Sequence, residues 1–206
     1  MKKLLKRIVV LLLVIVFVCF AVLTGRGYLM YRDALQQQGL SDRVAEIQSN
    51  PNYTPISDLP EMYLDAVVAV EDHRFTQHFG IDLISIGRAT WNNLTSWSLQ
   101  EGGSTITQQL AKNLYFTQEK SFIRKIAEMF MAFNLERTYE KYEILELYVN
   151  SIYFGNGYYC VRSASLGYFG KEPISMSDYE CTLLAGIPNA PSVYSLAANP
   201  ELARQR

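Results

Sequence analysis

The sequence predicts a mainly α-helical domain behind one apolar N-terminal helix. Three observations carry this. Ile8 to Leu23 is an uncharged apolar run, preceded by Lys2, Lys3, Lys6 and Arg7. Beyond Pro60, apolar residues recur at helical spacing in one segment after another. No run of alternating apolar and polar residues marks out strands, and there is no internal repeat or low-complexity tract. At 206 residues the chain fits one domain plus an appendage.

Leu4 and Leu5 bring the first apolar run close to the ~20 residues that cross a bilayer. The basic residues before it place that end in the cytoplasm and the remainder outside. A cleaved signal peptide shares this layout. Against it, no small-x-small cleavage site is clear after Phe20, and the run exceeds a usual signal core. The expectation is a retained single-pass anchor over residues 1–24.

Residues 25–56 are polar and Gln-rich and include Asn50-Pro51-Asn52-Tyr53-Thr54-Pro55, which reads as a short stalk or helix with a turn-rich linker. A domain over 57–206 follows. Its first helix runs from Pro60 to Val70, with Ser57 and Asp58 as cap candidates, Pro60 in the first turn, and Met62, Ala66, Val67 and Val70 on one face. Glu71 then falls at a helix C-terminus, an unfavourable end for a carboxylate. Residues 82–101 carry Trp91 and Trp97 with Ile84, Ile86, Leu94 and Leu99. Two readings stand for them, core packing or a face dipping into the membrane interface, where Trp is favoured.

Three helices follow: Ser104 or Thr105 to Leu114, Ser121 to Arg137, and Tyr139 to Ser151. Thr105 and Gln108 have capping-box spacing. Ser121 is a cap, and Ile144, Leu145 and Tyr148 form an apolar stripe. Gly155-Asn156-Gly157 breaks the pattern, Ala164 to Tyr168 resumes it, and Ser177 to Ile187 reads as a further helix before the prolines at 188, 191 and 200.

All 20 acidic residues lie beyond residue 24, against 15 of the 19 Lys and Arg, so the external part carries about −5. Such a balance gives no general case for nucleic acid, and any anion site must come from local clustering. Cys160 and Cys181 fall outside the cytoplasm, where they can pair or serve as small buried apolar residues. Two histidines without Cys or carboxylates at ligand spacing offer no dedicated metal site. Gly-x-Ser-x-Gly is absent, as is Ser followed three residues later by Lys, so serine acyl chemistry has no visible nucleophile.

Glu71-Asp72-His73-Arg74-Phe75-Thr76-Gln77-His78-Phe79-Gly80 places a carboxylate beside a His-bearing turn. Gly102-Gly103-Ser104-Thr105 opens a helix with Gln109, Lys112 and Asn113 along it. Arg124, Lys125 and Glu128 share one helical face. That trio reads either as a solvated salt-bridge ladder or, with Lys112, Lys120 and the backbone N–H groups of the Gly102–Ser104 turn, as a cradle for a diphosphate. Glu71 and Glu128 then remain for acid/base work at a glycosyl centre.

These residues resemble the peptidoglycan glycosyltransferases of family 51, found alone in monofunctional transglycosylases and at the front of bifunctional penicillin-binding proteins. The similarity runs from about Pro60 to Arg206 and touches five motifs: Glu71–Gly80, Gly103–Asn113, Arg124–Glu128, Lys141–Asn150, and Leu184–Tyr194 with Asn199-Pro200. The resemblance implies a lysozyme-like helical domain with a small membrane-associated jaw around Trp91 and Trp97. It also implies polymerisation of lipid II into β-1,4 glycan strands at the outer face of a bacterial plasma membrane, with inversion and release of undecaprenyl diphosphate. Glu71 would be the general base. Glu128 would orient the donor or assist at the diphosphate. Asp72, Phe75, His78, Ser104, Gln109, Lys112, Asn113, Lys120, Arg124, Lys125 and Tyr153 would hold substrate.

No cofactor is implied, although Mg or Mn could assist at the diphosphate. The implied partners are lipid II, the nascent glycan, membrane lipid, and transpeptidases or other cell-wall synthesis proteins. Cys160 and Cys181 depart from the family pattern, Cys160 at a tight turn where Gly is usual. The chain stops just past the fifth motif, which favours a monofunctional enzyme. A lysozyme-like hydrolase and an idle scaffold are the alternatives; the basic residues favour the polymerase.

Overall fold

The computed structural model describes residues 2–96, 102–117, 119 and 121–205. Among these the fold is helical, without a β-strand. The helices are α1 (Lys2–Gln37), α2 (Leu40–Gln48), α3 (Glu61–Glu71), α4 (Leu83–Ser96), α5 (Ile106–Tyr115) and α6 (Phe122–Thr138), then α7 (Lys141–Val149), α8 (Val161–Phe169), α9 (Asp178–Gly186), α10 (Pro191–Tyr194) and α11 (Pro200–Gln205).

With 36 residues, α1 is ~54 Å long at 1.5 Å per residue. Its side chains from Leu4 to Val22 are exposed all round, and it is long and apolar enough to cross a membrane. The same helix continues unbroken and packs its C-terminal part along α6. A short stalk or helix was expected here, and it is helix, packed rather than free: Gly27 is buried against α6, and Leu40 and Val44 of α2 join the core.

The turn-rich stretch that follows is also held. Asn150 Oδ1 accepts from the Thr54 N–H at 2.9 Å, and its Nδ2 donates to the Thr54 carbonyl at 2.8 Å. Glu146 accepts from the Ile56 N–H at 2.6 Å and from the Tyr53 hydroxyl. Residues 25–56 therefore form part of the folded body, pinned by Glu146 of α7 and by Asn150 just beyond its end.

In the core, α3 packs on α9, while α5 lies against α6 and α7. Tyr63, Val67, Ile106, Leu110, Met131, Leu135, Ile144, Leu147, Tyr148 and Leu184 are all 2% exposed or less. Each large apolar side chain among them contributes about 1.5–3 kcal/mol of burial. The helix starts follow local chemistry. Thr105 and Gln108 form the expected capping box, with both bonds at 3.1 Å, and Ser121 Oγ accepts from the Arg124 N–H at 3.0 Å. Ser57 and Asp58 do not cap α3. They lie in a short 3₁₀ turn, and Pro60 itself takes the N-cap position.

The α4 helix departs from core packing. Only Ala89 is buried on it, whereas Leu83, Ile84, Trp91 and Leu94 are each more than two-thirds exposed. Trp91 is therefore not a core residue; Trp97 lies outside the described residues. Cys160 and Cys181 are both free and buried, Cys181 within the apolar core and Cys160 with its sulfur against Ser163 Oγ, so the disulfide alternative is not realised.

Candidate active site

Glu71 is the last residue of α3, as the spacing predicted. A carboxylate at this end opposes the helix dipole, so its placement does not serve helix stability. Gln109, one turn into α5, donates from Nε2 to Glu71 Oε2 at 2.8 Å and accepts from the Tyr148 hydroxyl at 3.1 Å. The next residue secures the geometry. Asp72 Oδ2 accepts from the Ile106 N–H at 3.0 Å at the start of α5, and His78 Nε2 lies 2.9 Å from the same oxygen. The first motif is thereby bolted to the positive end of the helix that carries the second.

Asp72 and His78 were grouped with the substrate-binding residues, and both are largely engaged with one another. Phe75 was grouped there too, but it is 2% exposed and sits in the core under the Lys141 ammonium, 4.4 Å from the ring centroid. Its aromatic ring supports the turn from beneath.

The cations gather on the neighbouring helix. Arg124 and Lys125 both pair with Glu128, the latter at 3.1 Å, and the Glu128 side chain is only 1% exposed. A solvated ladder is thus excluded: a buried carboxylate fixes two cations on one wall. Lys125 Nζ also donates to Ser104 Oγ at 2.6 Å, and Arg124 Nε donates to the Glu119 carbonyl at 2.5 Å. Burial lowers the pKa of Lys112. The neighbouring Arg124 and Lys125 charges push the same way, while Glu128 and Glu71 oppose. Lys112 thus feels the charge of both glutamates. Lys120 lies outside the described residues.

Two cavities flank the Glu71–Gln109 pair, Glu71 lining one and Gln109 the other. A small one of about 260 Å³ is lined by Glu71, Asp72, His73, Arg88 and the Gly102–Thr105 turn, with Ser104 on its wall. A larger cleft of about 630 Å³ is lined by Gln109, Lys112, Asn113, Tyr148, Tyr153 and Tyr159, among others. The Glu71–Gln109 hydrogen bond joins the two walls. The Tyr153 and Tyr159 rings pack in a tilted pair with centroids 4.7 Å apart, and the turn between them takes positive φ at Gly155, Asn156 and Gly157 (82°, 53° and 81°).

Sequence reasoning missed Asp82 and the role of Tyr148. Asp82 is 1% exposed, pairs with Arg74, and accepts from the Ile84 and Ser85 N–H groups at 3.0 Å, capping α4. Burial alone would raise its pKa, but bonds from Arg74 and Ser85 hold the carboxyl well below the usual range. The signal was present, since Asp82 precedes Ser85 by three residues at the head of a helix. Tyr148 read only as part of an apolar stripe.

Among the described residues, no three His, Cys, Asp or Glu side chains cluster as metal ligands. Glu71 is thus held by the Gln109 amide beside half-buried cations on the neighbouring helices. The transglycosylase family matches residues 39–206, and the chain belongs to that family. The match begins at residue 39 rather than 57, in keeping with the packing of α2 into the core.

A Cupriavidus necator protein assigned provisionally as a transglycosylase is 44% identical over 165 residues, covering 80% of this chain and 71% of its own length. Penicillin-binding protein 1F of Bacillus subtilis is 45% identical over 166 residues, and penicillin-binding protein 1A of Aquifex aeolicus 47% over 154. These cover 80% and 75% of this chain but only 23% and 21% of the longer relatives. The chain thus spans about a quarter or less of the length of these penicillin-binding proteins.

Proposed function

We propose that this chain polymerises lipid II at the outer face of a bacterial plasma membrane, with α1 as a retained anchor. The growing glycan is the donor and an incoming lipid II the acceptor. Glu71 takes the proton from the acceptor 4-hydroxyl as its oxygen attacks the donor anomeric carbon. The carbon inverts, and the glycosidic bond to undecaprenyl diphosphate breaks. Lys112, Arg124 and Lys125 stabilise the charge that develops on the diphosphate, where preorganised donors act most strongly. Glu128 keeps two of those cations in place. Any Mg or Mn ion would arrive at the diphosphate itself.

The observation that carries this reading is the Glu71–Gln109 hydrogen bond, which links Glu71 on the wall of the small cavity to Gln109 on the wall of the larger cleft that Lys112 also lines. Two sugars can then flank one base. The exposed apolar side chains of α4 suit a jaw that rests in the membrane interface, close to lipid-borne substrates. A hydrolase would need a general acid and no cation set, which disfavours that alternative.

The test is detergent-solubilised full chain incubated with labelled lipid II, with products separated on a glycan-resolving gel beside Glu71→Gln. A polymer ladder from the parent alone is expected. Lipid II bound but unconsumed by the parent would overturn the enzyme reading.

A further inference from the structure

We propose that Tyr148 is a positioning residue for the base, acting through Gln109; this rests on the reading of Glu71 as that base. The geometry is a three-membered relay across three helices. The Tyr148 O–H on α7 donates to Gln109 Oε1 on α5 at 3.1 Å, and Gln109 Nε2 donates to Glu71 Oε2 on α3 at 2.8 Å. An amide can present either its oxygen or its NH₂ to a neighbour. The ionised carboxylate can only accept and so takes the NH₂, and the Tyr148 hydroxyl, by donating to the amide oxygen left on the α7 side, holds the amide in that orientation.

With the opposite orientation, an amide oxygen would face a carboxylate oxygen, and the ionised form that accepts a proton would lose its donor. Tyr148 is fully buried and its ring is packed in the core, so the hydroxyl has little freedom to leave. Burial also pushes the phenol well above its usual pKa, and it remains a donor across the working pH range. Other groups around Glu71 are Tyr63 on its own helix, Lys112 on α5, and His73 and Arg88 across the small cavity. The Tyr148 hydroxyl is bonded to the Gln109 amide oxygen, which gives it the task of holding the amide.

Tyr148→Phe deletes the hydroxyl and keeps the buried ring. The full chain in detergent, with lipid II as substrate, should then show the acid limb of its kcat/KM profile displaced upward by about half a pH unit or more. The loss in rate should shrink toward high pH, where the base is ionised regardless. Gln109→Leu should displace the same limb, and adding Tyr148→Phe to it should bring no further change, since residues acting through one another are not additive. A ring acting only as core filler would lower the melting temperature without moving the profile.

Superimposable profiles for the parent and Tyr148→Phe, or additive effects in the double variant, would overturn the inference. If Tyr148→Phe does not fold, Gln109→Leu alone decides: an unmoved acid limb refutes the relay. Glu71→Gln separates the two layers. Parental turnover in that variant removes the base reading and this inference with it. A dead Glu71→Gln beside an unmoved Tyr148→Phe profile removes this inference alone.

Discussion

Gly27 of α1 approaches Ile126 of α6 so closely that a Cβ at position 27 would lie 2.5 Å from Ile126 Cγ2. The contact couples the apolar helix to the helix that carries Arg124, Lys125 and Glu128. Tyr28 and Tyr31 extend it by packing on Phe130, with centroids 5.3 and 6.0 Å away. The C-terminal part of the long helix is thereby packed onto the helix that carries the cations.

Gly27→Val should separate the two helices and cost about 1–3 kcal/mol, as overpacked contacts do. Gly25 has nothing within 4 Å of a built Cβ, so Gly25→Ala should be neutral or slightly stabilising. Thermal unfolding in detergent measures both. Equal melting temperatures for Gly27→Val and the parent would show that α1 does not press on α6.

Glu71→Gln keeps the shape of the side chain and removes its capacity to take a proton. Turnover of lipid II should fall by roughly 10²–10⁴-fold with binding retained. Lys112→Ala should weaken binding and turnover together, because a diphosphate is charged in both ground and transition states. Binding to labelled lipid II, measured beside single-turnover rates, distinguishes the two patterns.

The helices and the site were legible in the sequence to different depths. Local signals served well where the chemistry is local. The Thr105–Gln108 box and the Ser121 cap formed as their spacing required, and Glu71 fell at its helix end. Long-range partners were not legible. Polar residues 25–56 read as a stalk because nothing nearby in sequence covers them, whereas Glu146 and Asn150 hold them from about 90 residues away. Phe75 was placed at the substrate by the family resemblance alone, whereas Lys141 and the core claim its ring. Tyr148 was hidden for the opposite reason, since its apolar neighbours masked a hydroxyl with a specific acceptor.

Cys160 adopts φ 73°, ψ 153°, a conformation that is essentially reserved for glycine and costs of order 1–3 kcal/mol otherwise. Its buried Sγ, 3.3 Å from Ser163 Oγ, offsets part of that cost. Cys160→Ala removes the sulfur and keeps the strain, so it should destabilise. Cys160→Gly loses the same sulfur but relieves the backbone. The glycine variant should therefore be more stable than the alanine variant by about 1 kcal/mol or more, the reverse of their usual order. Chemical denaturation of both variants checks it, and alanine above glycine would refute the strain.

Lys112 sets activity against stability. Burial, Arg124 and Lys125 together outweigh Glu128 and Glu71, so its folded pKa lies below the ordinary 10.5. The unfolded chain then holds this proton more tightly than the folded one. Stability contributed at this position is lowest below the folded pKa and rises with pH until 10.5 is passed. Lys112→Met keeps the length of the stem and removes the charge. It should melt above the parent near pH 7, with the gap narrowing as pH climbs toward the ordinary lysine value, while turnover is lost. Melting curves of both proteins at several pH values test the sign. A parent more stable than Lys112→Met at pH 7 would mean that attraction to the two glutamates exceeds the cost of burying the ammonium.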